Sequence, residues 1–322
     1  MNEATQLSWK TGVLFDQMRR IGGLEFPFEV ERVGEARGSR SRLRCSVDED
    51  GRLGLRRWRS HDLEMLSTCY LLDERAESAF STRWPRGAEV ELRAFGEGDP
   101  FAVVRLRGRP VEIRDLEGKL LHPDTVSRVN FDGHVLTVSP ESFWQSHHDA
   151  PALLSERVLA AWRARPAPRV VDLYSGVGLF AHVLSRAGAS EVVTLESSKS
   201  AVRDARENLG GRRGVRVLER RVEPRTLFPV LRGDDFVVLD PPRTGLSSGV
   251  VEEIAASDPA RVVYVSCDGA TFARDLKAFR GEGYDLTSLE AFDLFPLTEH
   301  VELVAVLDRA ESRRESGGRP KS

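Results

Sequence analysis

RVVDLYSGVGLFAHVLSRAGASEVVTLE (Arg169–Glu196) sets two β-branched runs on either side of a glycine turn and a helix-compatible segment. A β-branched run, Arg169–Leu173, meets a turn holding Gly176 and Gly178; helix-compatible residues continue to Gly188, and a second β-branched run ends in Glu196. A strand that is apolar throughout is buried on both faces, and a helical crossover is what brings the next strand alongside it in parallel. The stretch is therefore a βαβ unit. A glycine turn between strand and helix also lets the backbone approach a ligand closely.

The same alternation runs downstream through VRVLE, FVVLDPP, RVVYVSC and VELVAVL, which predicts a doubly wound α/β domain. Upstream of the break RARPAPR (Arg163–Arg169), residues Val135–Trp162 read as a strand, a loop and a helix. Before them, SRLRCSV, GRLGLRRW, AEVELRAF, FAVVRLRG and PVEIRDL are short runs separated by turn signals, the pattern of a smaller antiparallel β domain. LSWKTGVLFDQMRRIGG (Leu7–Gly23) reads as one amphipathic helix with no visible partner. These patterns predict a helical segment over 1–27, a central β domain over 28–125, the α/β domain over 126–309 and a disordered tail over 310–322.

The 322 residues, 40% hydrophobic and 30% charged with a net charge of −3, describe an ordinary globular protein. No apolar stretch is long enough to span a membrane, and MNEATQLSWK has no basic start followed by an apolar core, so the expected location is cytoplasmic. Three scattered cysteines, Cys45, Cys69 and Cys267, fit reduced thiols rather than a disulfide framework. His147 and His148 have no second ligand cluster, so no metal is assigned. Charge is uneven: ARGSRSRLR (Ala36–Arg44) holds four arginines and no acid, and Arg56, Arg57 and Arg59 surround Trp58. These stretches are candidates for RNA phosphate contact, against the alternative of a solvated basic face.

Three polar residues stand at predicted strand ends: Glu196, Asp240 before Pro241-Pro242, and Cys267. In open parallel sheets, ligands bind beyond the carboxyl ends of the strands. The turn also satisfies a relaxed dinucleotide fingerprint, with Glu196 placed for ribose hydroxyls, so a nicotinamide enzyme stays a rival. A strand-end acid stiffened by two prolines has no evident use in hydride transfer.

At this point the sequence resembles the S-adenosylmethionine-dependent RNA uracil-C5 methyltransferases, which make 5-methyluridine in ribosomal or transfer RNA. SFWQSH, DLYSGVGLF, VVTLESSKSAVRDARENL, VVLDPPRTG, YVSCDGATFARDL and FDLFPLTEHVELV carry the resemblance, in family order over about half of the chain. It implies a Rossmann-like class I methyltransferase domain, with Gln145, Tyr174, Glu196 and Asp240 lining the S-adenosylmethionine site above the Gly176/Gly178 turn. It implies Cys267 as nucleophile and Glu302 as base. Ribosomal RNA is the preferred substrate; transfer RNA, another base, and a non-catalytic RNA-binding relative are the alternatives. Oligomeric state is not legible.

Departures from the family pattern are His147 for an Asn, Asp268-Gly269 for Asn-Pro after the cysteine, and Leu179 for an Asn. TQLSWKTGVLFDQMRRIGG resembles the segment that in longer relatives follows a TRAM domain and an iron-sulfur cysteine cluster, neither of which is in this chain. Cys69 resembles the remote fourth cluster ligand without its partners, and the expectation is a cluster-free chain.

Overall fold

A computed structural model describes residues 2–57, 60 and 62–310. Trp58, Arg59 and the predicted tail beyond residue 310 lie outside the described residues. The chain forms two units, residues 1–33 with 152–322 and residues 34–151. These limits differ from the boundaries read in the sequence, because two short segments join partners distant along the chain.

The first unit opens with α1 (Glu3–Gln17), capped by Asn2, whose side chain accepts from Thr5 N, and extended by a π turn, Met18–Gly22. β1 (Val30–Arg32) follows and pairs in parallel with a strand more than 250 residues later. Three β1 residues give no sequence signal of that pairing.

The second unit holds β2 (Arg42–Val47), β3 (Leu53–Arg56), β4 (Leu63–Met65), β5 (Glu89–Arg93), β6 (Phe101–Arg105) and β7 (Glu112–Arg114) in one antiparallel sheet of order β4-β3-β2-β5-β6-β7. Leu43, Cys45, Val47, Val90, Leu92, Ala102 and Val104 face its core with Phe80 and Trp84. Alternate residues, Arg42, Arg44 and Arg93 among them, turn to the opposite face as the two-residue period of a strand requires. The hairpin β8 (Ser127–Phe131) and β9 (His134–Val138) belongs to this unit as well.

The chain then returns to the first unit through α2 (Ala150–Ala164), β10 (Arg169–Leu173), α3 (Leu179–Ala187), β11 (Glu191–Glu196), α4 (Lys199–Asn208), β12 (Val215–Glu219), α5 (Pro224–Leu227), β13 (Phe236–Leu239), α6 (Val250–Ala256), β14 (Arg261–Ser266), α7 (Gly269–Gly281), β15 (Tyr284–Asp293) and β16 (Glu302–Arg309). Its eight-stranded sheet has the order β1-β15-β16-β14-β13-β10-β11-β12. Every pairing is parallel except those of β16, which runs antiparallel to both β14 and β15.

One face of this sheet buries Val171, Leu173, Val237, Leu239, Tyr264, Leu303 and Ala305 against Leu14 and Met18 of the amino-terminal segment and against α6 and α7. The alternate residues turn the other way: Asp172 accepts from Ala181 N of α3 at 3.0 Å, and α2 lies over Val304 and Val306. Helices on both faces of a mainly parallel sheet make the doubly wound class expected from the sequence. Among the described residues no helix is long and apolar enough to cross a membrane.

Candidate active site

The turn after β10 is shaped by its backbone. Tyr174 has φ +62°, a conformation that costs a bulky side chain strain, and Gly176 and Gly178 have φ +53° and +90°. The two glycines differ in what surrounds them. A Cβ on Gly178 would come within 2.9 Å of Leu209, whereas one on Gly176 would meet nothing within 4 Å. Gly178 thus lets the loop close on its own helix layer, and Gly176 faces open space.

Glu196, at the end of β11, pins that turn. One carboxylate oxygen accepts from Gly176 N at 3.0 Å, and the other accepts from Ser197 N and Ser198 N at 2.6 and 2.7 Å. Beneath it Asp172 is fully buried; its Oδ1 has no hydrogen-bond partner. Burial, with Asp240 and Glu196 nearby, pushes its carboxyl up to about 8. An orphaned acid below a glycine turn with open space above it fits a cationic, hydroxyl-bearing ligand such as S-adenosylmethionine, and the residues present suit that group.

Three strand ends further along the sheet bring the other candidates together. Asp240 follows β13 and Cys267 follows β14. Ser266 pairs with Leu303 in the antiparallel ladder, so Glu302, which opens β16, is the next position across from Cys267. Glu302 is 2% exposed, and burial together with Asp240 raises its carboxyl well above the usual range while Arg243 opposes the shift. Burial pushes Asp240 up to about 7. Burial, then Glu302 and Asp240, push the Cys267 thiol up to about 12; Arg243 pulls it the other way by charge and by a hydrogen bond.

Arg243 and Asp172 carry no role in the sequence reading, yet Arg243 acts on Cys267 and Glu302, and Asp172 feels Asp240 and Glu196. Arg243 sits in the loop after Pro241-Pro242, and α7 holds that loop: Thr271 Oγ1 donates to Arg243 O at 3.1 Å, Arg274 donates to Thr244 O and Leu246 O at 3.1 Å, and Asp275 accepts from Leu246 N at 2.8 Å. The same Asp275 carboxylate accepts from Tyr264 OH at 2.8 Å. A lone arginine behind a strand-end acid was the signal available in the sequence.

Gln145 lies in the second unit, in the loop after β9, where its carbonyl accepts from Ser41 Oγ at 3.3 Å. The basic stretch of that unit is not free of acids once folded. Arg42 and Arg44 meet the buried Glu91 at 2.8 and 3.0 Å, and Arg57 meets Glu64 at 2.7 Å. Arg42 also lies 5.1 Å above the ring of the exposed Phe143. Among the described residues no group of three or more His, Cys, Asp or Glu side chains could hold a metal ion.

Comparison with known proteins places this arrangement. The family model for tRNA (uracil-5-)-methyltransferases matches residues 233–310, the segment holding Asp240, Cys267 and Glu302. Uncharacterized RNA methyltransferases of Streptomyces avermitilis and Streptomyces coelicolor are each 35% identical to the chain over 94% of its length, and the match covers 77% and 73% of theirs. The crystal structure of Pyrococcus abyssi tRNA (uracil-54, C5)-methyltransferase in complex with S-adenosyl-L-homocysteine is similar over 95% of this chain and 84% of that one, with 25% identity and a TM-score of 0.71. The chain belongs to the S-adenosylmethionine-dependent RNA methyltransferases of the uracil-C5 family.

Proposed function

We propose that the protein methylates carbon 5 of a uridine in structured RNA through a transient bond between Cys267 and carbon 6 of the base. The observation that carries this reading is the placement of Cys267 across the ladder from buried Glu302, with Asp240 and Arg243 beside them. When bound, S-adenosylmethionine supplies an electrophilic methyl group on a sulfonium. Tyr174, the Gly176/Gly178 turn, Glu196 and Asp240 would hold it.

Carbon 5 of uracil is too weak a nucleophile to take that methyl unaided. The Cys267 thiolate adds to carbon 6, its lone pair forming the S–C bond while the ring double-bond pair moves into an enolate. Carbon 5 of that enolate is then nucleophilic enough to take the methyl group that bound S-adenosylmethionine would supply, the thioether being the leaving group. Glu302 removes the carbon 5 proton, the C–H pair restores the double bond, and the C–S bond breaks to return the thiolate to Cys267. A carboxylate whose proton affinity is raised by burial is a stronger base for a proton on carbon. Arg243 favours the thiolate that starts the sequence. The base must leave its stack to expose carbon 6, and exposed arginines such as Arg44 are candidates for contact with RNA phosphates.

Ribosomal RNA is the substrate favoured by the sequence reading; the likeness to the Pyrococcus abyssi enzyme favours transfer RNA. Methylation of unmodified transcripts of both kinds separates the two. A cytoplasmic location and a cluster-free state belong to the same proposal, as readings of the sequence. Visible iron-sulfur absorption after anaerobic purification would contradict the cluster-free state. For the reaction itself, RNA tritiated at carbon 5 should release one tritium per methyl transferred. Methyl transfer with no tritium release would place the chemistry on another atom.

A further inference from the structure

Lys10 lies on α1, four residues before Leu14 and eight before Met18, on the helix stripe that enters the core, and it is 1% exposed. Its ammonium donates to Asp293 Oδ1 at 2.6 Å, His300 O at 2.8 Å and Phe295 O at 3.0 Å. An ammonium carries three protons, so Lys10 is saturated, and all three acceptors lie between the last residue of β15 and the start of β16. Asp293 ends β15; His300 stands two residues before Glu302. Lys10 therefore draws together the two ends of the segment that presents the general base.

The segment has its own scaffold around that cation. Thr298 Oγ1 donates to Phe295 O at 2.8 Å and accepts from His300 N at 3.2 Å, while the crest residue Leu297, at φ +61°, is exposed. The backbone carbonyls turn inward to Lys10 and the crest turns outward. The same helix also reaches the nucleophile's side. A Cβ on Gly269, two residues after Cys267, would come within 2.7 Å of Leu14 Cδ1 and would collide with Gln17 Oε1. One helix thus abuts the segment after the nucleophile and the segment before the base.

We propose that Lys10 is a positioning residue for Glu302 and that α1 is part of the apparatus that completes the reaction; the proposal rests on Glu302 acting as the base. A buried ion pair is a poor source of net stability, and apolar replacement of both partners is often neutral, so stability alone gives little reason for a charge at this position. Placement gives a reason, since displacement by about 1 Å costs a reacting group on the order of a hundredfold in rate. The base acts after the methyl has been transferred. Losing Lys10 should therefore leave adduct formation and methyl transfer in place and slow the elimination that follows.

The test is a single-turnover reaction of the full chain with S-adenosylmethionine and unmodified ribosomal-RNA and transfer-RNA transcripts, quenched in denaturant and resolved for protein–RNA adduct. The variants are Lys10→Met/Asp293→Leu, which removes both charges, Asp293→Asn, which leaves Lys10 its two carbonyl acceptors, and Glu302→Gln as reference. The expected result is methylated adduct accumulating in the double variant as in Glu302→Gln, product release roughly tenfold or more slower than wild type, and a smaller effect for Asp293→Asn. S-adenosylmethionine affinity should stay within about threefold, which shows that the fold is kept. Wild-type release from the double variant, or equal loss of adduct and product with cofactor binding intact, would overturn the positioning role. If Glu302→Gln accumulates adduct and neither Lys10 nor Asp293 variants do, the inference falls and the base stands. If Glu302→Gln itself releases product at the wild-type rate, the reading of the base falls and takes the inference with it.

Discussion

Glu302 opens β16 directly across the antiparallel ladder from Cys267, one step beyond the Ser266–Leu303 pair. Only because β16 reverses direction does the start of the last strand lie beside the end of β14. A parallel β16 in the same place would have carried Glu302 to the opposite end of the strands.

Arg243 is the cation nearest this pair in effect, and it is exposed. Removing it takes away the one influence that favours the thiolate, so the thiol should titrate higher. In Arg243→Met the rising limb of adduct formation should move to higher pH, by about one unit, which is a roughly tenfold slower reaction at fixed pH on that limb. Salt should shrink the difference between variant and wild type. Stopped reactions across pH with 5-fluorouridine RNA check this, and coincident profiles contradict it.

The two glycines of the turn should fail differently. In Gly178→Ala the methyl meets Leu209 at φ +90°, and the loss should be folding stability, about 1–3 kcal/mol by urea titration. In Gly176→Ala the methyl enters open space at φ +53°, costing about 1 kcal/mol of stability. Its larger effect should be on S-adenosylmethionine affinity measured by calorimetry. Equal affinities for the Gly176 variant and wild type would remove the turn from the cofactor site.

Asp172 should make the protein less stable as pH rises. Its folded-state carboxyl is pushed up to about 8, above the unfolded value, so between about pH 4 and 8 the folded state binds more protons than the unfolded one. Stability is greatest below the unfolded value and falls by about 1.4 kcal/mol per pH unit from this group through that window. Asp172→Asn lacks the penalty and should gain on wild type between pH 5 and pH 7 in urea titrations. Parallel pH dependences would show that Asp172 is not held protonated.

The strand ends were legible because β-branched runs stop abruptly at glycine, proline and acid, and those stops are local. What escaped was set by long-range pairing. β1 is three residues long and its pairing with β15 has no local signature; β15 itself, YDLTSLEAFD, lacks a continuous β-branched run, and its polar–apolar alternation breaks at Thr287-Ser288, where the register shifts. Ala36–Arg44 contains no acid in sequence, yet β5 brings Glu91 under Arg42 and Arg44. Ile21 shares the apolar spacing of the first helix yet is 39% exposed, while Lys10 on the same helix is buried. A charge spaced at four and eight residues from Leu14 and Met18 was the signal that could have found it.

A covalent bond between Cys267 and the target base should be trapped by RNA containing 5-fluorouridine. Fluorine at carbon 5 cannot leave as a proton, so the reaction should stop after methyl transfer with the RNA still attached. Incubation with S-adenosylmethionine should give a denaturant-resistant complex whose mass includes protein, RNA and one methyl group, with the link mapped to Cys267 and no complex from Cys267→Ala. Methylation of ordinary RNA by the Cys267→Ala protein, or a trapped complex linked through any other residue, would contradict the account.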